Sequence, residues 1–155
     1  MDDRVYIIAE AGVNHNGDRE IALDLIQAAK EAGADAVKFQ TAQAEKVVTD
    51  NAPKAAYQMT TTDSSESQID MLRRLLLPYE AHHDLVEECR ALDIDFLSTP
   101  FDLESLDFLV NDLRVNRLKI PSGEITNGPL LLSAGRSGLD IVMSTGMSTL
   151  GEIQD

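Results

Sequence analysis

Lys119-Ile120-Pro121-Ser122-Gly123-Glu124-Ile125-Thr126-Asn127 decides how the rest of the chain is read. It begins as the end of a short apolar strand carried by Leu118 and Ile120, and it breaks at Pro121 and Gly123. It then offers a cation, a hydroxyl, a carboxylate and an amide in quick succession. A loop that only reverses the chain needs the proline and the glycine. It has no need of Lys119, Glu124 and Asn127 around them.

Working outward, several other strands end in the same way. Apolar runs predict strands at 5–10, 36–41, 94–98, 115–120 and 140–144. Between the first two, Asp18 stands where an N-cap belongs, and Ala22, Leu25, Ile26 and Ala29 recur at helical spacing before Gly33 stops the run. Ser65-Glu66-Ser67-Gln68 resembles a capping box for a short helix with Ile69, Leu72 and Leu76 on one face. Further helices are predicted at 79–92, 105–113 and 129–134, and another opens at 148. Residues 41–65 form a long polar insertion, expected to be a loop, with a lid over the site as its candidate role.

Five strand–helix units in succession fit either a doubly wound open sheet or a (β/α)₈ barrel. No Gly-x-Gly-x-x-Gly follows the first strand, and polar groups sit at the strand ends, which favours the α/β TIM barrel. A full barrel takes about 250 residues. The 155-residue chain is therefore expected to be its N-terminal part, about the first five βα units.

Thirteen Lys and Arg stand against 27 Asp and Glu, a net charge of -14. Such a field repels nucleic acid and anionic membranes, so neither is expected as a partner, and an anionic substrate needs a local cluster of cations. The single cysteine, Cys89, rules out an internal disulfide and suits a reducing cytoplasm. Its helical spacing to Leu85 and Leu92 marks a buried thiol.

In a barrel the active site lies at the C-terminal ends of the strands. Those ends here carry Glu10, then Lys38 and Gln40, Ser98 and Thr99, then Lys119, Ser122 and Glu124, and last Ser144 and Thr145. Alternation puts Val37 and Phe39 on one face of their strand and Lys38 and Gln40 on the other, and it turns Lys119 away from Leu118 and Ile120. An interior lysine is expensive unless paired or liganded. Two of them beside hydroxyls predict a pocket for a phosphate or carboxylate, with Glu10 and Glu124 as acid/base groups or metal-binding aids. The competing reading makes Glu10–Lys38 and Glu124–Lys119 mutually neutralising core pairs. Among the histidines, His15 borders the site and is expected to hold its turn by hydrogen bonds or to take part in catalysis. Adjacent His82 and His83 point about 100° apart and are expected to be exposed. Met143 and Met147 are expected to pack near the fifth strand.

Five motifs then stand in order: Ile8-Ala9-Glu10-Ala11-Gly12-Val13-Asn14-His15-Asn16-Gly17-Asp18, Val37-Lys38-Phe39-Gln40-Thr41, Ser98-Thr99-Pro100-Phe101-Asp102, the opening stretch, and Ser144-Thr145-Gly146-Met147. Together they closely resemble the sialic acid synthase (NeuB-type) family. That resemblance implies a (β/α)₈ barrel followed by a small antifreeze-like domain, working as a homodimer. It implies condensation of phosphoenolpyruvate with an N-acetylated aminosugar, N-acetylmannosamine or a relative, to a nine-carbon 2-keto acid and phosphate. By motif, Lys38, Thr99, Lys119, Ser122 and Ser144 correspond to phosphoenolpyruvate ligands and Gln40 to a sugar contact. Glu10 and Glu124 correspond to the carboxylates nearest the reacting carbons. The resemblance also implies Mn²⁺ or Mg²⁺, held by histidines outside this chain, so the 155 residues alone are expected to be inactive or nearly so. A Schiff-base aldolase using Lys38 or Lys119, and a non-catalytic anion- or sugar-binding module, are the alternatives.

Overall fold

The computed structural model describes residues 4–49, 52–54, 66–146 and 148–154. Its order is β1 (Ile8–Gly12), α1 (Arg19–Glu31), β2 (Ala36–Thr41), α2 (Ala44–Val47), α3 (Gln68–Leu75), α4 (Tyr79–Ala91) and β3 (Asp95–Pro100). There follow α5 (Leu103–Asp107), running into a π-helical turn at Phe108–Asp112, then β4 (Arg117–Ile120), α6 (Gly128–Arg136), β5 (Asp140–Met143) and α7 (Leu150–Gln154). All the strand pairs are parallel: β1 pairs with β2, β2 with β3, and β4 with β5. β3 lies beside β4, so the two ladders follow one another in space. The chain is thus an α/β structure with parallel strands.

Apolar spacing explains where the core sits. Ala22, Ile26 and Ala29 of α1 pack with Val37 and Phe39 of β2 and with Leu85 and Cys89 of α4. A second cluster joins Leu118 and Ile120 of β4 to Leu106, Leu109 and Leu113 of the α5 segment and Leu130 of α6. Each such fully buried Leu or Ile contributes roughly 1.5–3 kcal/mol. Both clusters lie on the helix side, which leaves the other face of the strands to Lys38 and Lys119.

The helix starts are fixed by side-chain caps. Asp18 Oδ1 accepts from the Glu20 and Ile21 amides at 2.8 and 3.2 Å. For α3 the cap is Ser67, whose Oγ accepts from Asp70 N at 3.1 Å. This corrects the expected Ser65 box by two residues, because Asp70 also takes the Ser67 hydroxyl proton at 2.7 Å. The buried face of α3 is Ile69 and Met71, with Leu72 and Leu76 half-buried.

Other expectations need correction. β1 begins at Ile8, and Val5 and Ile7 are exposed, because β1 has a sheet neighbour on one side only. Met143 is exposed for the same reason at β5, and Met147 lies outside the described residues. Of the polar stretch 41–65 the structure describes 41–49 and 52–54, where α2 appears instead of a loop. Tertiary ion pairs, Lys46–Glu104 and Arg73–Glu45, help to hold that turn. The suggested lid role lies outside the described residues.

Cys89 is buried as expected, and burial pushes its thiol up to about 12. Only the thiolate is an efficient nucleophile. Iodoacetamide at mildly alkaline pH is therefore expected to leave Cys89 unlabelled in the folded chain and to label it fully in denaturant, as read by intact mass. Labelling of the native chain at the denatured rate would show that the α4 core opens.

Candidate active site

The C-terminal ends of the strands gather the polar residues picked out by alternation. Register pairs Glu10 of β1 with Lys38 of β2, and Gln40 of β2 with Thr99 of β3. Lys38 is buried, with Nζ 2.9 Å from Glu10 Oε2 and 3.3 Å from Thr99 Oγ1. Glu10 keeps 59% of its side chain exposed, so the pair opens to solvent on the carboxylate side. Gly12, at φ +56°, closes this corner. A Cβ there would stand 3.2 Å from Glu10 Oε1 and 3.8 Å from Gln40 Nε2, which places those two side chains together.

Lys119 comes from the second ladder. Its Nζ donates to Ser144 Oγ and to the Ile120 carbonyl, both at 2.8 Å. Burial, followed by the positive charge of Lys38, holds its pKa below the usual lysine range, and Glu10 opposes the shift. That Lys38 and Glu10 both act on Lys119 puts the two lysines and the carboxylate in one electrostatic neighbourhood. Two ammonium groups that repel one another, one of them half-buried, are stabilised by an anion between them.

Ser122 and Glu124 lie on the 3₁₀ turn directly after β4. Glu124 accepts from Asn127 Nδ2 at 2.6 Å, and Asn127 Oδ1 caps α6 through Leu130 N at 3.2 Å. The opening stretch is thus a strand end, a turn and a helix cap in one. Glu10–Lys38 is an ion pair, whereas Glu124 takes Asn127 as its partner; the expected Glu124–Lys119 pair is not found among the described contacts. Asn127, which the sequence offers as a cap for the following helix rather than as a site residue, has that role here.

Ser98 turns away from this site. Its register partner is Phe39, so it faces the helices, where its Oγ lies 2.7 Å from Thr41 Oγ1. His82 corrects an expectation outright. It is fully buried on α4, 3.1 Å from Thr41 Oγ1 through Nε2 and 3.1 Å from the Pro78 carbonyl through Nδ1, while His83 is exposed. The face of α4 that carries Leu85 also carries His82, and the sheet behind supplies a hydroxyl to meet it. His15 is buried too, and its Nδ1 accepts from Gly17 N at 3.1 Å, the turn-holding role expected. Burial lowers the pKa of both histidines.

A cavity of about 210 Å³ opens at the opposite ends of the strands, beside Tyr6, Cys89, Asp95, Arg117 and Asp140. Its groups satisfy one another. Tyr6 donates to Asp95, and the Arg117 guanidinium lies 5.0 Å over the Tyr6 ring. Among the described residues no three His, Cys, Asp or Glu side chains form a group fit for a metal ion. No helix among them is long and apolar enough to cross a membrane.

This parallel α/β frame, with lysines and carboxylates at its strand ends, is that of a family with a name. The NeuB family profile matches residues 25–155. The chain belongs to the NeuB family. It is 49% identical over 152 residues to the N,N'-diacetyllegionaminic acid synthase of Campylobacter jejuni, covering 98% of this chain and 45% of that protein. It is 51% identical over 149 residues to the enzyme of the same name from Legionella pneumophila, covering 96% and 42%. Among solved structures, N-acetylneuraminic acid synthetase from Leptospira borgpetersenii, in complex with citrate, superposes with a TM-score of 0.80 at 32% identity, over 98% of this chain and 48% of that one. The chain spans less than half the length of these relatives.

Proposed function

We propose that this chain supplies the phosphoenolpyruvate side of a nonulosonic acid synthase, within a (β/α)₈ barrel of which it forms about the first five units. The observation that carries the reading is that Lys38 and Lys119, on separate ladders, both stand at the C-terminal ends of parallel strands, beside Thr99 and Ser144. The whole protein condenses phosphoenolpyruvate with an N-acetylated aminosugar. Since both relatives at about half identity are N,N'-diacetyllegionaminic acid synthases, the favoured sugar is the diacetylated precursor of legionaminic acid, ahead of N-acetylmannosamine. The working form is a cytoplasmic homodimer with a C-terminal antifreeze-like domain.

In this reading C3 of phosphoenolpyruvate attacks the sugar aldehyde, water adds at C2, and C–O cleavage releases phosphate. Lys38 and Lys119 hold the anion and balance its charge, while Thr99, Ser122 and Ser144 offer hydroxyls to its oxygens and Gln40 meets the sugar. Glu10 and Glu124 are the groups for proton transfer and for steering water. A divalent ion, Mn²⁺ or Mg²⁺, polarises the aldehyde when bound. Its ligands, as the family resemblance implies, are expected on residues outside this chain.

Calorimetric titration with phosphoenolpyruvate tests the reading. The chain is expected to bind it, without releasing phosphate when N-acetylmannosamine or the diacetylated sugar is added. Affinity is expected to weaken as pH rises through the depressed pKa of Lys119, because the cation that holds the anion is lost there. Binding that stays constant until the ordinary lysine range would remove Lys119 from the site. Borohydride with a keto acid is expected to leave both lysines unmodified; a trapped adduct would favour the aldolase.

A further inference from the structure

His82 sits at the centre of a line of hydrogen bonds whose direction depends on its ring tautomer. The Pro78 carbonyl, 3.1 Å from Nδ1, takes the ring proton in the Nδ1–H form and leaves Nε2 as an acceptor, whereas the Gln40 carbonyl is the backbone partner available to the other form. In the Nδ1–H form Thr41 Oγ1 donates to Nε2. Having given its only proton, Thr41 accepts from Ser98 Oγ. The line runs from Ser98 to Thr41 to His82 to the Pro78 carbonyl, and every member that it links by a side chain is buried.

Its position is as telling as its direction. Thr41 directly follows Gln40, and Ser98 directly precedes Thr99, the acceptor for Lys38. The Thr41 carbonyl also receives Phe101 N at 3.2 Å, just past the end of β3. Filling this space with apolar side chains would avoid the desolvation of three polar groups, whereas a fully satisfied polar line selects one arrangement. What it selects is the relative placement of the two strand ends that face the lysine site.

We propose that His82 is a positioning residue: through Thr41 and Ser98 it locks the ends of β2 and β3 from the helix side, so that Lys38, Gln40 and Thr99 hold their geometry when an anion enters. This rests on reading the lysine site as the phosphoenolpyruvate site. Support from behind on rigid elements is what keeps a binding constellation in register.

Two measurements test it. Heteronuclear NMR of the histidine ring nitrogens is expected to show His82 as the Nδ1–H tautomer; the Nε2–H tautomer would overturn the line. Phosphoenolpyruvate is then titrated into the chain and into Thr41→Val, Thr41→Ser and His82→Asn. Valine keeps the shape without the hydroxyl, serine keeps the hydroxyl, and asparagine retains a donor for Pro78 O while losing the acceptor for Thr41. Affinity is expected to fall about five- to tenfold in Thr41→Val and His82→Asn, and to stay within about twofold in Thr41→Ser. Affinity equal to that of the parent chain in Thr41→Val and His82→Asn, even with lowered melting temperatures, would reduce the line to a structural filler. Failure of the parent chain itself to bind would sink the anion-site reading and the positioning role with it.

Discussion

Exchange of Lys38 for methionine is expected to weaken phosphoenolpyruvate binding by about 100-fold and leave the fold intact. The magnitude is that of removing a buried, hydrogen-bonded charge from its partner anion. Stability should hold because methionine matches the aliphatic stem of lysine. Glu10, left behind, keeps more than half of its side chain in solvent and needs no replacement partner. Lys38→Arg is not expected to rescue binding. A planar fork on a longer stem cannot reproduce contacts to Glu10 and Thr99 that are made by one compact ammonium. Calorimetry beside a thermal melt decides the matter. Unchanged affinity with a lowered melting temperature would mean that Glu10–Lys38 is only a core ion pair.

Gly17→Ala is expected to be the most damaging small substitution for stability, by about 3 kcal/mol or more. Gly17 holds φ +78°, where an L side chain is strained, and its Cβ would stand 2.2 Å from the Arg74 carbonyl oxygen. That oxygen belongs to the last turn of α3, so one of two backbones must move. The turn also carries His15, whose ring depends on the Gly17 amide. Gly33→Ala is the control. Gly33 has a similar φ of +80° but nothing within 4 Å of an added Cβ. It should lose only the conformational part, about 1 kcal/mol. At this size the Gly17 variant should melt some 6–12 °C lower. Equal melting temperatures for the two variants would show that α3 yields to the methyl group without loss.

Much of this was legible in the sequence, for definite physical reasons. The two-residue period of β2 forces Lys38 and Gln40 opposite Val37 and Phe39 whatever the strand packs against, and the period-3.6 spacing of α1 marks Ala22, Ile26 and Ala29 as its buried stripe in the same way. Asp18 as a cap follows from its own side chain. What escaped depends on partners distant in sequence. His82 looks exposed because it adjoins His83, and its burial needs, besides the local Pro78 carbonyl, the hydroxyl of Thr41, 41 residues earlier. Ser98 and Thr99 both look like site residues; alternation sets them on opposite faces, and the register with Phe39 and Gln40 tells which of the two faces the site. The exposure of Val5, Ile7 and Met143 reflects how many strands flank β1 and β5, which local hydrophobicity does not encode. The one-turn α2 is too short to be marked by periodicity, and its ion pairs with α3 and α5 are made to residues distant in sequence.

The hydrogen bonds of the two site lysines carry a consequence for mechanics. An ammonium has three N–H groups. Lys38 pairs with Glu10 and gives one proton to Thr99, and Lys119 commits one to Ile120 O and one to Ser144. Each lysine keeps a donor for a further partner, and among the described residues the ladders that carry them pair separately. On the proposed reading, an anion caught between the two ammonium groups is expected to act as a strut joining β2 to β4 and to stiffen the seam between the two ladders.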